Sequence, residues 1–247
     1  MKLLISGEGP SDIGTCNNSQ GVCMDGEFSP GPMAIWLKRL WEALAGYDLL
    51  ETPGAIVFVS KKTLAQDAKQ SSGRMQALRG KSKQVETGLY FSNTKQLGLR
   101  AKALSRDDDV PVMAVFFRDT DGTQSASGQA WRTKWDSMLD GFKAAEFDFG
   151  VPMLPKPKSE AWLLCTIKQG NHSHASLEEI SGNDDSPSSA KDQLDEALGG
   201  HRSAAQLADW CQTNPVDWSK LMTMPSFKAF FDRFQVVASA IIRPVAA

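Results

Sequence analysis

Short apolar runs alternate along this chain with stretches of helical period. Met1-Lys2-Leu3-Leu4-Ile5-Ser6 is apolar and stops at Gly7-Glu8-Gly9-Pro10, which predicts a buried strand closed by a turn. Residues 14–31 are rich in Gly, Asn, Ser and Pro and read as a loop. Pro32 suits a first helical turn, and Met33, Trp36, Leu37, Leu40, Trp41 and Leu44 follow at helical spacing until Gly46. Ala55–Val59 and Val110–Phe117 predict a second and a third buried strand. Trp131, Trp135, Met138, Leu139, Phe142 and Ala145 mark another amphipathic helix. A weaker strand over 149–154 is followed by Pro155-Lys156-Pro157-Lys158 and then by a helix, with Ser159 as the expected cap. Residues 169–190 are polar and read as a loop. Phe227, Phe230, Phe231, Phe234, Val237 and Ile241 fit one stripe of a terminal helix.

This order predicts an α/β fold, a mostly parallel sheet flanked by helices, with a helical C-terminal extension. In such sheets ligands gather beyond the carboxyl ends of the strands. Glu8 and the pair Asp119/Asp121 both follow apolar strands, so both belong on that rim.

Composition narrows the class. The 247 residues are 41% hydrophobic and 23% charged, as in an ordinary globular protein. The net charge of −2 excludes a uniformly basic coat. Residues 61–106 nevertheless carry eleven Lys or Arg and two acids, a net of +9 that leaves −11 for the remainder. Within this basic insertion Arg74, Arg79, Lys81, Lys83, Lys95, Arg100 and Lys102 are candidates for phosphate contact, with a solvated helical face as the plainer reading. No apolar run reaches the roughly 18 residues of a membrane span, and the N-terminal run is short for a signal peptide. A cytoplasmic protein with no membrane contact is expected. Cys16, Cys23, Cys165 and Cys211 are too few for a disulfide scaffold and read as reduced thiols. His172, His174 and His201 do not combine with Cys16 and Cys23 at zinc-site spacing. Trp210 and Trp218 flank Asn214-Pro215 and read as core packing rather than a docking surface.

Two carboxylates spaced i, i+2 on an extended chain point to one side. Held together, Asp119 and Asp121 repel unless a proton or cation intervenes. Oxygen-only ligands favour Mg²⁺ or Mn²⁺ over zinc. Glu8, with Asp12 one turn later, completes such a site from a neighbouring strand, and Glu160 is a further ligand. The plainer reading is an Asp-rich turn.

Glu8-Gly9-Pro10-Ser11-Asp12 after a first strand and Asp119-Thr120-Asp121 after a third resemble the Toprim fold, and Glu160-Ala161-Trp162-Leu163 resembles a later segment of small stand-alone Toprim-like proteins. Those proteins are encoded beside ABC-type ATPases in bacterial anti-phage systems. The resemblance covers about residues 1–168, a Toprim-like catalytic domain, and leaves 169–247 as a mainly helical extension. It implies a Mg²⁺-dependent nuclease of DNA or RNA, the effector of a defence system with an ATPase partner. Glu8 would be the general base or a metal ligand, Asp119 and Asp121 would hold the metal, and Asp12 and Glu160 would support it. Lys156 or Lys158 would neutralise the transition state. No GxxxxGK[ST] motif occurs, so ATP use falls to the partner. A homo-oligomer is left open.

Two other readings stand beside it. Phe117-Arg118-Asp119-Thr120-Asp121-Gly122-Thr123 also resembles the first motif of haloacid-dehalogenase-type phosphatases, with Asp119 as nucleophile and Asp121 as acid/base. That family needs a later apolar strand ending in an acidic pair, and Asp184-Asp185 has none before it. The third reading is a non-catalytic Toprim-like binding module.

Overall fold

The computed structural model describes residues 1–71, 87–120, 128–168 and 174–242. In chain order the elements begin with β1 (Lys2–Gly7), β2 (Gly14–Cys16), β3 (Val22–Met24), β4 (Phe28–Pro30) and α1 (Pro32–Ala45). They continue with β5 (Ile56–Ser60), α2 (Lys61–Ser71), α3 (Gly88–Asp108), β6 (Val112–Phe117), α4 (Gly128–Ala144) and β7 (Gly150–Met153). The C-terminal third holds α5 (Ser159–Ile167), α6 (Ala190–Ala197), α7 (Ala204–Thr213), the single turn α8 (Trp218–Leu221) and α9 (Pro225–Ile242).

The main sheet has the order β3-β5-β1-β6-β7. β1 pairs in parallel with β5 on one side and β6 on the other, so Leu4 lies between Val57 and Ala114. β7 extends β6 in parallel, and β3 adds an antiparallel edge to β5. β6 is buried along its whole length. A strand covered on both faces has no polar side to alternate with, which is why it reads as a continuous apolar run. The chain leaves β1 toward β5 and later crosses to β6 on the other edge. The order therefore reverses between β1 and β6, and a crevice opens at their carboxyl ends.

Residues 14–31 depart from the expected loop. They form the small β2-β4 sheet and the edge strand β3. Their polar, glycine-rich composition hides strands of three residues, β3 pairing with β5 and β2 with β4, set by these partners rather than by local propensity. Cys16 and Cys23, expected as reduced thiols, are joined as a disulfide, with Cα atoms 5.7 Å apart. The turn between β2 and β3 brings the two together, a closure that counting cysteines does not reveal. Cys165 and Cys211 are buried free thiols.

Helices α3 and α4 pack so closely that a side chain does not fit between them. A Cβ on Gly141 would stand 2.5 Å from the Phe91 carbonyl oxygen. The C-terminal helices join the same hydrophobic core. Trp162 on α5 meets Phe227 edge-on at 5.0 Å and stacks on Phe230 at 5.7 Å, both from α9. Its indole N–H donates to Ser226 Oγ at 2.9 Å. Trp218 stacks on Phe227 and meets Trp36 edge-on, the packing role expected of it. Among the described residues no helix is long and apolar enough to cross a membrane.

Glu178 is 5% exposed and accepts the Ser226 N–H at 2.6 Å. Burial raises its carboxyl above the ordinary range, against the pull of that hydrogen bond. The folded state therefore holds the proton more tightly than the unfolded state, and this part of the stability is lost as pH rises from the ordinary Glu value through the raised one. Glu178→Gln keeps an acceptor and removes the charge. Urea denaturation is expected to show the variant gaining on the wild type between pH 4 and 7, and parallel pH profiles would refute the assignment. Gly141→Ala is expected to lower stability by about 1–3 kcal/mol in the same measurement, the usual cost of overpacking.

Candidate metal centre

Three carboxylates meet at the crevice beyond β1 and β6. Asp12, Asp119 and Glu160 each offer an oxygen, and the three lie within 4.8 Å of one another. Each is brought there by a different element.

After β1 the chain turns sharply. Gly9 has φ +85°, and the Asp12 and Ile13 N–H groups both donate to its carbonyl, at 3.0 and 3.1 Å. A side chain at Gly9 would collide with the Asp12 carboxylate, so the turn requires glycine on two counts. The Asp12 carbonyl also accepts the Met33 N–H at the start of α1, which fixes the turn against that helix.

Asp119 follows β6. Its neighbours are tied to the segment after β7: Arg118 N–H donates to Met153 O and Thr120 N–H to Pro157 O, each at 3.0 Å. The Thr120 hydroxyl donates to Pro155 O. The buried Lys134 ammonium donates to Thr120 O at 2.6 Å. This lacing brings Asp119 to the N-terminus of α5, where its carboxylate accepts the Ser159 N–H at 3.0 Å. Ser159 is thus the first residue of the helix and not its cap. Asp119, 40 residues upstream, satisfies one of the open N–H groups, and the positive end of the helix suits its charge.

The buried Ser159 hydroxyl donates to Asp12 and lies 3.4 Å from Glu160 Oε2. Ser11 Oγ donates to the other Asp12 oxygen at 3.0 Å. Burial raises the Glu160 carboxyl above its ordinary range, and the charge of Asp12 adds to the rise. Two of these carboxylates are thus fixed by hydrogen bonds, while the third resists ionisation beside them. All three offer hard oxygen donors, a set that could hold a metal ion.

Glu8 stands outside this group. One of its oxygens accepts from Lys61 at 2.5 Å and the other pairs with Arg118 at 2.8 Å. Arg118 in turn lies over the Tyr90 ring at 4.4 Å. Lys158 pairs with Asp184 at 2.8 Å. Of the basic insertion, Arg100 pairs with Asp67 and Lys102 with Glu146, and Lys95 lies on α3. Asp121, Arg74, Arg79, Lys81 and Lys83 lie outside the described residues, as does His172. The phosphatase reading pairs Asp119 with Asp121 and so extends beyond them as well.

The triad opens into a cavity of about 280 Å³. Its far wall comes from the C-terminal extension, including Asp184, Lys191, Asp195, His201 and Arg202. None of these was legible as a site residue. They sit in polar stretches with no motif, and they reach the cavity because α6 packs beside α5 and α7 against α1. Ser159 was hidden differently: a serine before an apolar run reads as a cap, and its bonds to Asp12 and Asp119 span 147 and 40 residues.

No family model matches this chain, and neither a curated protein nor a solved structure does so.

Proposed function

We propose that this protein is a divalent-cation-dependent nuclease with a Toprim-like domain, hydrolysing phosphodiester bonds of DNA or RNA. One observation carries the reading: Asp12, Asp119 and Glu160 converge within 4.8 Å inside a cavity at the carboxyl ends of the central strands. Three like charges that close oppose one another unless a cation joins them. When bound, Mg²⁺ or Mn²⁺ supplies Lewis-acid stabilisation of the charge that develops on a phosphoryl oxygen.

The remaining work belongs to the chain. Ser159 aligns two carboxylates at once, its N–H on Asp119 and its hydroxyl on Asp12. Lys158, steadied by Asp184, lines the cavity and faces an incoming anion. Glu8 pairs with both Lys61 and Arg118. Glu8 is thus engaged in two ion pairs, whereas the sequence resemblance implies a general base or a metal ligand. Membership of a bacterial anti-phage system, with an ABC-type ATPase as partner, rests on that resemblance alone.

Mn²⁺ at about 100 times its dissociation constant is expected to stabilise the wild type by about 2.7 kcal/mol, read as a rise in Tm. Asp119→Asn and Glu160→Gln are expected to lose that rise yet be at least as stable without metal, because each removes one repelling charge. Cleavage of plasmid, single-stranded DNA and tRNA should fall by about 10²-fold or more in both, as for loss of a major electrostatic contact. Glu8→Gln is expected to keep the Mn²⁺ response. A wild type indifferent to Mn²⁺ and silent on all three substrates would sink the reading. Hydrolysis of p-nitrophenyl phosphate lost only with Asp119, without any cutting, would favour the phosphatase.

A further inference from the structure

We infer that Lys191 and Arg202, on the C-terminal extension, form the phosphate-binding wall of the triad cavity and hold the scissile phosphodiester of a nucleic-acid strand against it. The inference rests on the nuclease reading and says which side chains receive its substrate.

The cavity has two walls of different origin. Asp12 and Asp119 follow β1 and β6 and Glu160 lies on α5, while Lys191 lies in the first turn of α6 and Arg202 precedes α7. The other basic side chains on the lining already have acidic partners. Lys158 is paired with Asp184 at 2.8 Å, and His201 shares a hydrogen bond with Asp195 at 3.1 Å. Lys191 and Arg202 have no carboxylate partner among the described residues.

Charge decides what such a cavity takes. The ionised triad carries −3, and one divalent cation brings it to −1. Lys158 and Asp184 cancel and Asp195 adds one negative charge, so Lys191 and Arg202 bring the whole lining to neutrality. A single phosphodiester, with one negative charge, then meets its positive groups at these two residues. The half-exposed guanidinium of Arg202 offers planar paired donors that match two phosphate oxygens, and the exposed Lys191 adds a point charge at the mouth. A cavity of about 280 Å³ has room for one phosphate and part of a nucleotide, so the strand runs across the opening rather than into it.

The test measures binding apart from metal. Anisotropy of a fluorescein-labelled 12-nucleotide strand, as DNA and as RNA, is recorded with Ca²⁺ replacing Mg²⁺ over a range of salt. Mn²⁺ uptake is followed alongside by the loss of the free-ion paramagnetic signal. Lys191→Ala/Arg202→Ala is expected to bind the strand about tenfold more weakly or worse. The double variant should also flatten the slope of log K against log salt by about 1.4, two contacts at roughly 0.7 each for a single strand. Its Mn²⁺ uptake should stay within twofold of the wild type. Arg202→Lys is expected to regain the slope. Lys143→Ala/Lys228→Ala removes the same charge from exposed sites elsewhere and should leave the slope unchanged.

Equal affinity and slope in the double variant and that control would overturn the inference, as would a wild type that binds neither strand. Failure of the nuclease reading has a separate signature, absent Mn²⁺ uptake in the wild type. The phosphate wall would stand even then if the double variant alone lost the strand.

Discussion

Strand β1 has a neighbour on each edge and a helical layer on each face, and the other features follow from that enclosure. It is buried from Leu3 onward with Ser6 as the one polar side chain in that stretch, so charged groups first appear where the strand ends. The same holds for β6 beside it. The order of strands reverses between these two, and no helix can cover both of their ends at once. A crevice remains, and Asp12 and Asp119 reach it because their segments begin where burial stops.

The carboxylates then present a problem of their own. Asp119 is held by the first N–H of α5 and Asp12 by hydroxyls of Ser11 and Ser159. Glu160 shares that helix end and is pressed toward its protonated form by burial and by Asp12. Such an arrangement opposes folding in the absence of a counter-charge, since each ionised group raises the cost of the next. The surrounding structure supplies compensation through the helix terminus and through the aromatic packing of Trp162 on α9, which anchors α5. Nothing in the apolar core needs three acids here. Under the proposed function a divalent cation would answer them.

The C-terminal extension matters for a reason its sequence conceals. Its apolar stripe brings α9 onto the sheet edge, and its polar connections then close the cavity over the triad. The extension thus belongs both to the core, through Phe227 and Phe230, and to the site, through the wall that carries Lys191 and Arg202. A basic surface expected on residues 61–106 is in part turned to internal pairing, as at Arg100 and Lys102.

The sequence by itself determined the buried strands and the main amphipathic helices. Continuous apolar runs and helical stripes report burial directly, and burial is a local property of each residue. It also named Asp12, Asp119 and Glu160 among its metal candidates, because carboxylates after buried strands stand where polar groups first become possible. It named Glu8 beside them, and Glu8 pairs with Lys61 and Arg118 instead of joining the triad. Whether an acid meets another acid or a cation depends on partners 53 and 110 residues away, and no periodicity records that. The short strands of residues 14–31, the Cys16–Cys23 bond, the double role of Ser159 and the cationic far wall share this cause. Each is an interaction between segments distant in the chain or too short to carry a pattern, and only the packing of the whole molecule decides it.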